Sequence, residues 1–459
     1  MFFSSFKIIH FIGIGGIGMS AIAELAYELG YVVQGSDIRK NNNLIRLEKK
    51  GISINIGHVG KNIQTAEVVV YSSAIDKSNP EIIEANARSI PLYSRAEFLA
   101  IVMKDKRSIT ISGTHGKTTT TSIIGQLLKD EAIDPTVVSG GIMNINKSNL
   151  IFGNGDWMIV EADESDGSFL ILPSEISIIT NIDNDHLDYY KSMTLLKDAF
   201  VKYANKTQEN GYLILCIDDI GVQSILGDIM VERLISYGFS KKANYQVSFI
   251  RNESLGSIFS LKCNLPDIYF DEEFFIPMHG DHNINNAVAS IIVAKILSID
   301  IKKIKSRLKD FPGIQRRFTK IGDKDGVIYF DDYAHHPVEI QAVLSAANKI
   351  KHNKIVTVFQ PHRYSRIIEL YDGFCSSFKD TDYLLIAPIY SAGELATKAI
   401  TNRTIANDIK FIDKDCIKYF MSNENLKILL KSIVKNGDIV IFIGAGDISS
   451  IAREIVKNI

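Results

Sequence analysis

Residues 108–128 read SITISGTHGKTTTTSIIGQLL: a short apolar strand, a glycine loop, then a segment whose Ile123, Ile124, Leu127 and Leu128 share one helical face. Strand, glycine loop and helix make the unit with which open α/β sheets receive ligands at the carboxyl ends of their strands. Ser112-Gly113-Thr114-His115-Gly116-Lys117-Thr118-Thr119 offers backbone N–H groups and a helix N-terminus to phosphate oxygens. Lys117 adds a point charge, and the Thr118 hydroxyl suits Mg²⁺. The loop departs from the standard phosphate loop, whose GxxxxGK[ST] spacing needs glycine at 111; Ile111 stands there, and the loop shortens to GxxGKT.

The same alternation runs outward in both directions. Upstream, Lys7–Ile12 reads as a strand, Gly18–Leu29 as a helix, and Val32–Gly35 and Val68–Tyr71 as strands, before a charged stretch at 104–107. Downstream come strands at Trp157–Val160, Ile176–Thr180 and Tyr212–Cys216. An alternating polar and apolar stretch at Asn244–Pro277 reads as an antiparallel meander, and Asn283–Leu297 as a helix. After Phe311-Pro312-Gly313 the pattern restarts, with strands at Val327–Phe330, Ile355–Phe359, Leu384–Ala387 and Ile439–Ile443. The expectation is an α/β chain of three domains in series: 1–106, 107–313 and 314–459. The first and last read as Rossmann-like, and the central one as a mixed sheet of the phosphate-loop ATPase kind.

Composition narrows the partners. Of 459 residues, 46% are hydrophobic and 23% charged, and 51 Lys and Arg against 53 Asp and Glu leave a net charge of −2. That balance argues against coating nucleic acid or an anionic membrane, and against disorder. Cys216, Cys263, Cys375 and Cys416 lie far apart, without the spacing of a zinc site or a disulfide framework. His10 interrupts the apolar run near the start, which reads better as strand and turn than as a signal peptide. No apolar run reaches the ~18 residues of a membrane helix. The expected compartment is the cytoplasm.

Chemistry-bearing residues gather just after the strands. Gly13-Ile-Gly15-Gly16-Ile-Gly18 follows the first strand, and Ser36-Asp37 closes the second, where an acidic residue commonly meets a ribose. A diphosphate nucleotide would suit this pair, but alone it leaves a dehydrogenase open. Glu161-Ala-Asp163-Glu164-Ser-Asp166 and Asp183-Asn-Asp185-His186-Leu-Asp188 follow the next strands of the central block and supply oxygens beside the phosphate loop. His282-Asn283 and Asn286 open a helix, where Asn serves equally as cap or as reader of an adenine edge. The last block carries Arg316-Arg317, Asp331-Asp332-Tyr333-Ala334-His335-His336-Pro337 and Gln360-Pro361-His362-Arg363-Tyr364-Ser365-Arg366, with arginines suited to carboxylates and phosphates.

Seven segments in order, GIGGIGMS (13–20), SGTHGKTTTTS (112–122), EADESDGSF (161–169), TNIDNDHLDYY (180–190), DDYAHHPVEI (331–340), FQPHRYSR (359–366) and GAGDI (444–448), resemble the Mur ligases along essentially the whole chain. The HHP and PHRYSR segments look like those of the alanine-adding member. The resemblance implies ATP-dependent amide synthesis with Mg²⁺, in which the lactyl carboxylate of UDP-N-acetylmuramate becomes an acyl phosphate and is attacked by L-alanine. The alternative within the family is a recycling ligase that attaches a whole tripeptide to the same UDP-sugar. By the family pattern, Gly113, Thr114, His115, Gly116, Lys117, Thr118 and Thr119 serve the phosphates, with Lys117 on the transferred one. Thr118, Glu161 and His186 serve metal ions, and Asn283, Asn286, Arg317 and Asp332 the adenosine or the phosphates. Gly15, Gly16, Gly18, Ser36, Asp37, Ser72 and Ser73 fall to the UDP-sugar, and His335, Arg363 and Arg366 to substrate carboxylates. His186, Lys117 and Arg363 carry the chemistry in this reading. One departure stands out: several relatives place a CO₂-carbamoylated, metal-binding lysine where this chain has Phe200 and Val201, with Lys197 and Lys202 only nearby.

Overall fold

β1 (Ile8–Ile12), β2 (Val32–Asp37), β3 (Ser53–Ile56), β4 (Val68–Tyr71) and β5 (Leu92–Ser94) form an all-parallel sheet in the order β3-β2-β1-β4-β5. The strand order reverses at β1, so the turns after β1 and β4 flank a crevice at the carboxyl edge. Those turns are Gly13–Gly16 and Ser72-Ser73. α1 (Ile17–Glu28) follows the first turn, and α2 (Asn42–Lys49), α3 (Pro80–Ala87) and α4 (Arg95–Met103) complete the layer. α4 starts on a full capping box, in which Ser94 and Glu97 satisfy each other's backbone N–H.

The computed structural model describes residues 6–129, 132–144, 147–253, 256–265, 270–397 and 400–458. Its second sheet contains β6 (Arg107–Ser112), β7 (Thr136–Met143), β8 (Ser148–Ile151), β9 (Trp157–Glu161), β10 (Ile176–Ile179), β11 (Tyr212–Cys216), β12 (Leu234–Gly238), β13 (Tyr245–Glu253), β14 (Gly256–Cys263) and β15 (Asp271–Ile276). The order is β15-β14-β13-β12-β11-β10-β6-β9-β7-β8. The expected meander is present as β13, β14 and β15, side by side in chain order at one edge. β6 is the switch point here, with β9 and β10 parallel on either side. Its loop opens into α5 (Lys117–Leu127), and the register sets Glu161, at the end of β9, beside Ile111.

The third sheet holds β16 (Thr319–Lys324), β17 (Val327–Asp332), β18 (Ile355–Phe359), β19 (Tyr383–Ile386), β20 (Ile417–Tyr419) and β21 (Ile439–Ile443), in the order β16-β17-β21-β18-β19-β20. Only β16 runs antiparallel to its neighbour. Every residue of β18 and β21 is buried, as befits strands covered on both faces; the runs IVTVF and IVIFI are apolar except for Thr357, whose hydroxyl pairs with Thr381 at 2.7 Å.

The chain parts into two compact units: 1–250 with 258–277 and 283–312, and 313–459 with 251–257 and 278–282. The first two sheets therefore share one unit, although the sequence changes character at 106/107. A buried polar interlock accounts for this. Arg46 of α2 donates to Ser148 Oγ (2.6 Å) and Asn149 Oδ1 (2.8 Å) of β8, while Ser148 donates to Glu24 of α1 at 3.1 Å. Asn149 Nδ2 in turn donates to the carbonyl of Ile17. Polar groups buried in this way are costly to expose singly, so they pin one relative placement of the two sheets.

Candidate active site

The loop after β6 is built by close approach. Gly113 has φ +131°, and a Cβ there would lie 2.1 Å from Thr180 Oγ1 and 3.0 Å from the Asn181 nitrogen. No side chain fits. The neighbouring segment after β10 clamps the loop. The Asn181 carbonyl accepts the Thr114 N–H at 3.2 Å, and its side chain accepts the His115 N–H at 2.8 Å. Thr180 Oγ1 donates to the His115 carbonyl at 2.6 Å, and Thr114 Oγ1 accepts the Asp183 N–H at 2.9 Å. His115 Nε2 lies 3.2 Å from Asp183 Oδ2. From the helix that begins at Asp281, Asn286 Oδ1 accepts the Thr120 hydroxyl at 3.2 Å, and Asn283 is buried nearby in the same first turns.

One carboxylate pairs with Lys117 at the start of α5, and two more stand close enough for their fields to reach it. Lys117 Nζ stands 2.8 Å from both oxygens of Glu164 and 2.7 Å from the Gly113 carbonyl. Burial works against its charge, yet the fields of Glu164, Asp163 and Glu161 outweigh it and raise its pKa. Burial pushes the Glu161 and Glu164 carboxyls up despite the ammonium. Burial opposes ionisation of Asp163 too, but Lys117, the Ser165 N–H, Arg95 and His186 hold it below the usual carboxylate range. Glu161 accepts the Thr118 hydroxyl at 3.0 Å and the Gly140 N–H at 2.6 Å. His186 heads the short helix α6 (Leu187–Tyr190) in a left-handed conformation, and its Nε2 lies 3.6 Å from Glu164 Oε1. A hydroxyl, crowded carboxylates of raised pKa and an imidazole beside a phosphate loop form a donor set suited to a divalent cation.

A cleft of about 310 Å³ leads from these acids to the first sheet. Gly16, Gly18, Ser72 and Ser73 line it at one end, and Glu161 and Asp163 at the other, with Arg95 on its wall. The remaining candidates on the first sheet stand behind that surface. Gly15 donates its N–H to Asp37 Oδ2 at 2.8 Å and its carbonyl accepts from the Asn41 and Asn43 amides, so Asp37 braces the turn. Ser36 is fully buried and donates to Glu81 at 2.6 Å, 3.0 Å from His58 Nδ1. Consecutive strand residues face opposite sides, so the Ser36 and Asp37 side chains leave β2 on opposite faces.

In the second unit, charged groups collect at the carboxyl ends of β17, β18 and β19. Asp332 accepts the backbone N–H groups of Phe318 and Ala334, each at 2.7 Å, and latches the strand to the preceding loop. Burial lifts its carboxyl to about 6, against the pull of Arg317. Arg317 pairs with Glu339 at 3.8 Å, and Glu339 also accepts the His335 N–H at 3.0 Å. Burial lowers His335 to about 4 and His362 to about 3; the arginines beside them act in the same direction, so both rings are neutral at pH 7. The two rings lie 6.0 Å apart, and Arg366 reaches His362 at 3.5 Å. Arg363 is exposed at the head of the helix Tyr364–Glu369, with φ +65°.

Sequence reasoning had not singled out Glu164, Asn181, Arg95 or Glu339. Glu164 and Asn181 sit inside segments already marked, one turn away from the residues chosen. Arg95 had no local signal at all.

Comparison with known proteins bears on the whole arrangement. Residues 8–107 match the Mur ligase family, catalytic domain; 111–294 the Mur ligase middle domain; and 316–446 the Mur ligase, glutamate ligase domain. A UDP-N-acetylmuramate–L-alanine ligase of Sinorhizobium medicae is 43% identical, over 98% of this chain and 97% of its own. The crystal structure of a UDP-N-acetylmuramate–alanine ligase from Thermotoga maritima aligns with a TM-score of 0.83 at 28% identity, over 99% of each chain. A murein peptide ligase from Psychrobacter arcticus shares the fold, with a TM-score of 0.72 at 22% identity over 98% of each chain.

Proposed function

The chain belongs to the Mur ligase family, and we propose that it joins L-alanine to the lactyl carboxylate of UDP-N-acetylmuramate at the expense of ATP, a step of peptidoglycan precursor synthesis. The observation that carries the reading is the pairing of Lys117 with Glu164 at the phosphate loop, next to Glu161, which lines the cleft together with Gly16 and Gly18. The 43% identity to L-alanine ligases favours alanine over the tripeptide of a recycling ligase.

In this reading the UDP-sugar lies on 1–106, ATP on 107–313 and the amino acid on 314–459. The lactyl carboxylate attacks the γ-phosphorus, the bond to the β-phosphate oxygen breaks, and ADP leaves an acyl phosphate. A carboxylate is a poor electrophile until one of its oxygens can leave as phosphate. The amine of alanine then adds to the acyl carbon, loses its proton, and expels phosphate. Two anions must first be brought together, and Lys117 and the N–H groups of residues 113–119 offset that repulsion. Thr118, Glu161 and His186 would hold Mg²⁺, which would supply further charge neutralisation there. Asn283 and Asn286 brace the loop or meet the adenosine, and Arg317 and Asp332 order the approach to the phosphates. His335, Arg363 and Arg366 receive substrate carboxylates, the arginines contributing charge and the neutral imidazole hydrogen bonds. Among the described residues no helix is long and apolar enough to cross a membrane, and the compartment proposed is the cytoplasm.

Phosphate release with ATP, Mg²⁺ and UDP-N-acetylmuramate, offering alanine in one arm and tripeptide in the other, tests the reading. Alanine-dependent release supports it. Release with tripeptide and none with alanine assigns the chain to recycling.

A further inference from the structure

Lys117 has its hydrogen-bonding capacity taken up within the protein. Its three N–H bonds face the Glu164 carboxylate at 2.8 Å and the carbonyls of Gly113 and Thr114 at 2.7 and 3.3 Å. Glu164 is equally confined. Its side chain is 1% exposed, its own carbonyl takes the Tyr190 hydroxyl at 2.6 Å, and among the described residues Lys117 alone donates hydrogen bonds to its carboxylate. Glu161, by contrast, feels Lys117 only through its field and takes its hydrogen bonds from Thr118 and Gly140.

A triphosphate that draws the ammonium onto its γ-group would strip Glu164 of its partner and leave a buried, uncompensated carboxylate beside arriving negative charge. Such a charge is strongly unfavourable unless another cation replaces the first. One metal-ligating group already faces Glu164: His186, with Nε2 3.6 Å from Oε1. Adjacent ligands of an octahedral ion with bonds near 2.1 Å lie about 3 Å apart, so a small closure of this pair suffices.

We propose that Glu164 is an exchanged counter-ion: it holds Lys117 while the loop is empty and, together with His186, ligates a divalent cation once nucleotide has taken Lys117. The proposal rests on the ATP reading of the loop and adds to it a metal ligand and an order of events. Lys117 and the cation would then be delivered by one exchange rather than by two independent bindings, so metal and nucleotide affinities are coupled through Glu164.

The test is equilibrium binding to the full chain, with Mn²⁺ followed by electron paramagnetic resonance and a non-hydrolysable ATP analogue as nucleotide. In the wild type the analogue should strengthen Mn²⁺ binding by roughly tenfold or more. Glu164→Gln keeps the shape and one acceptor for Lys117. It should lose most of that strengthening and bind the metal-free analogue more tightly than wild type. Lys117→Met leaves Glu164 without its ammonium and should bind Mn²⁺ roughly tenfold more tightly in the absence of nucleotide. Unchanged coupling in Glu164→Gln, or wild-type Mn²⁺ affinity in Lys117→Met, overturns the exchange. Failure of the ATP reading looks different: no form of the protein binds the analogue, while the Lys117→Met arm, which needs no nucleotide, still decides the exchange.

Discussion

The loops after β1 and β6 are the same supersecondary unit in two states of commitment. Each joins a central parallel strand to a helix across a glycine turn, and each lies at the switch point of its sheet. The first is braced from behind by neutral and acidic side chains, with Asp37 on the Gly15 N–H and Asn41 and Asn43 on its carbonyl. The second is clamped by Thr180 and Asn181 and carries a buried ammonium with its own counter-ion. The glycines alone do not separate a loop that seats a diphosphate from one that works on a phosphate being transferred. The lysine and the acids that face it do.

That contrast is broken most sharply at Lys117. Lys117→Ala should cost on the order of 3 kcal/mol or more of transition-state stabilisation, a loss of two orders of magnitude or more in turnover. The variant's melting temperature should fall as well, because Glu164 is left buried without its ammonium, so turnover is compared on protein shown to be folded by circular dichroism. Near-normal turnover in the folded variant would dissolve the distinction between the loops.

The glycines give the next comparison. A methyl at Gly113 meets a β-branched side chain and backbone in a left-handed conformation, whereas at Gly15 it meets the ends of Asn41 and Asp37 at 2.7 and 2.8 Å. Gly113→Ala should therefore abolish nucleotide binding. Gly15→Ala should cost only about 1–3 kcal/mol of stability and raise KM for the UDP-sugar while leaving KM for ATP alone. Steady-state kinetics with each substrate varied separately, alongside thermal melts, measure both.

A smaller effect belongs to the third sheet, where the charges sit on side chains. The native rings of His335 and His362 are held at about 4 and about 3, below their unfolded value near 6.5. The unfolded chain binds those protons first, so the stability they contribute is present above pH 6.5 and is lost as pH falls from there toward 4. Denaturant unfolding at pH 7.5 and 5 should show a steeper loss in wild type than in His335→Gln. Equal losses would mean that the ring is not kept neutral.

The smallest expected effect is none. Phe200 is buried in α7 (Met193–Asn205), its ring 5.3 Å from that of Phe169, while Lys202 is exposed and Lys197 half-buried. Turnover should be the same in CO₂-depleted buffer with and without bicarbonate. A bicarbonate-dependent rate eliminated by Lys197→Ala or Lys202→Ala would show that one of these lysines carries the carbamate.

What was legible in the sequence is what backbone chemistry demands. The loop after β6 can only be made with glycine where Thr180 crowds it, so its spelling reveals it. The buried strands of the third sheet are equally plain, because a strand covered on both faces is made almost wholly of apolar residues. The hairpin of β7 and β8 was not read, since Gly140-Gly141 and the polar pair Ser148-Asn149 hide its alternation. Those polar residues are buried only because the first two sheets pack together. Glu164 escaped for a related reason. Glu161, Asp163 and Glu164 are interchangeable as letters, and the turn after β9 decides which of them faces Lys117. Ser36 beside Asp37 posed the same problem on a strand, and one of the two had to point inward.

The central claim is that the lactyl carboxylate is phosphorylated before the amide forms. UDP-N-acetylmuramate carrying ¹⁸O in that carboxylate, turned over with ATP and L-alanine, tests it by mass analysis of the phosphate released. Transfer of one ¹⁸O into phosphate is the predicted result, because the oxygen that attacks the γ-phosphorus leaves with it. Phosphate free of the label, formed alongside a stoichiometric amount of amide, would contradict the account.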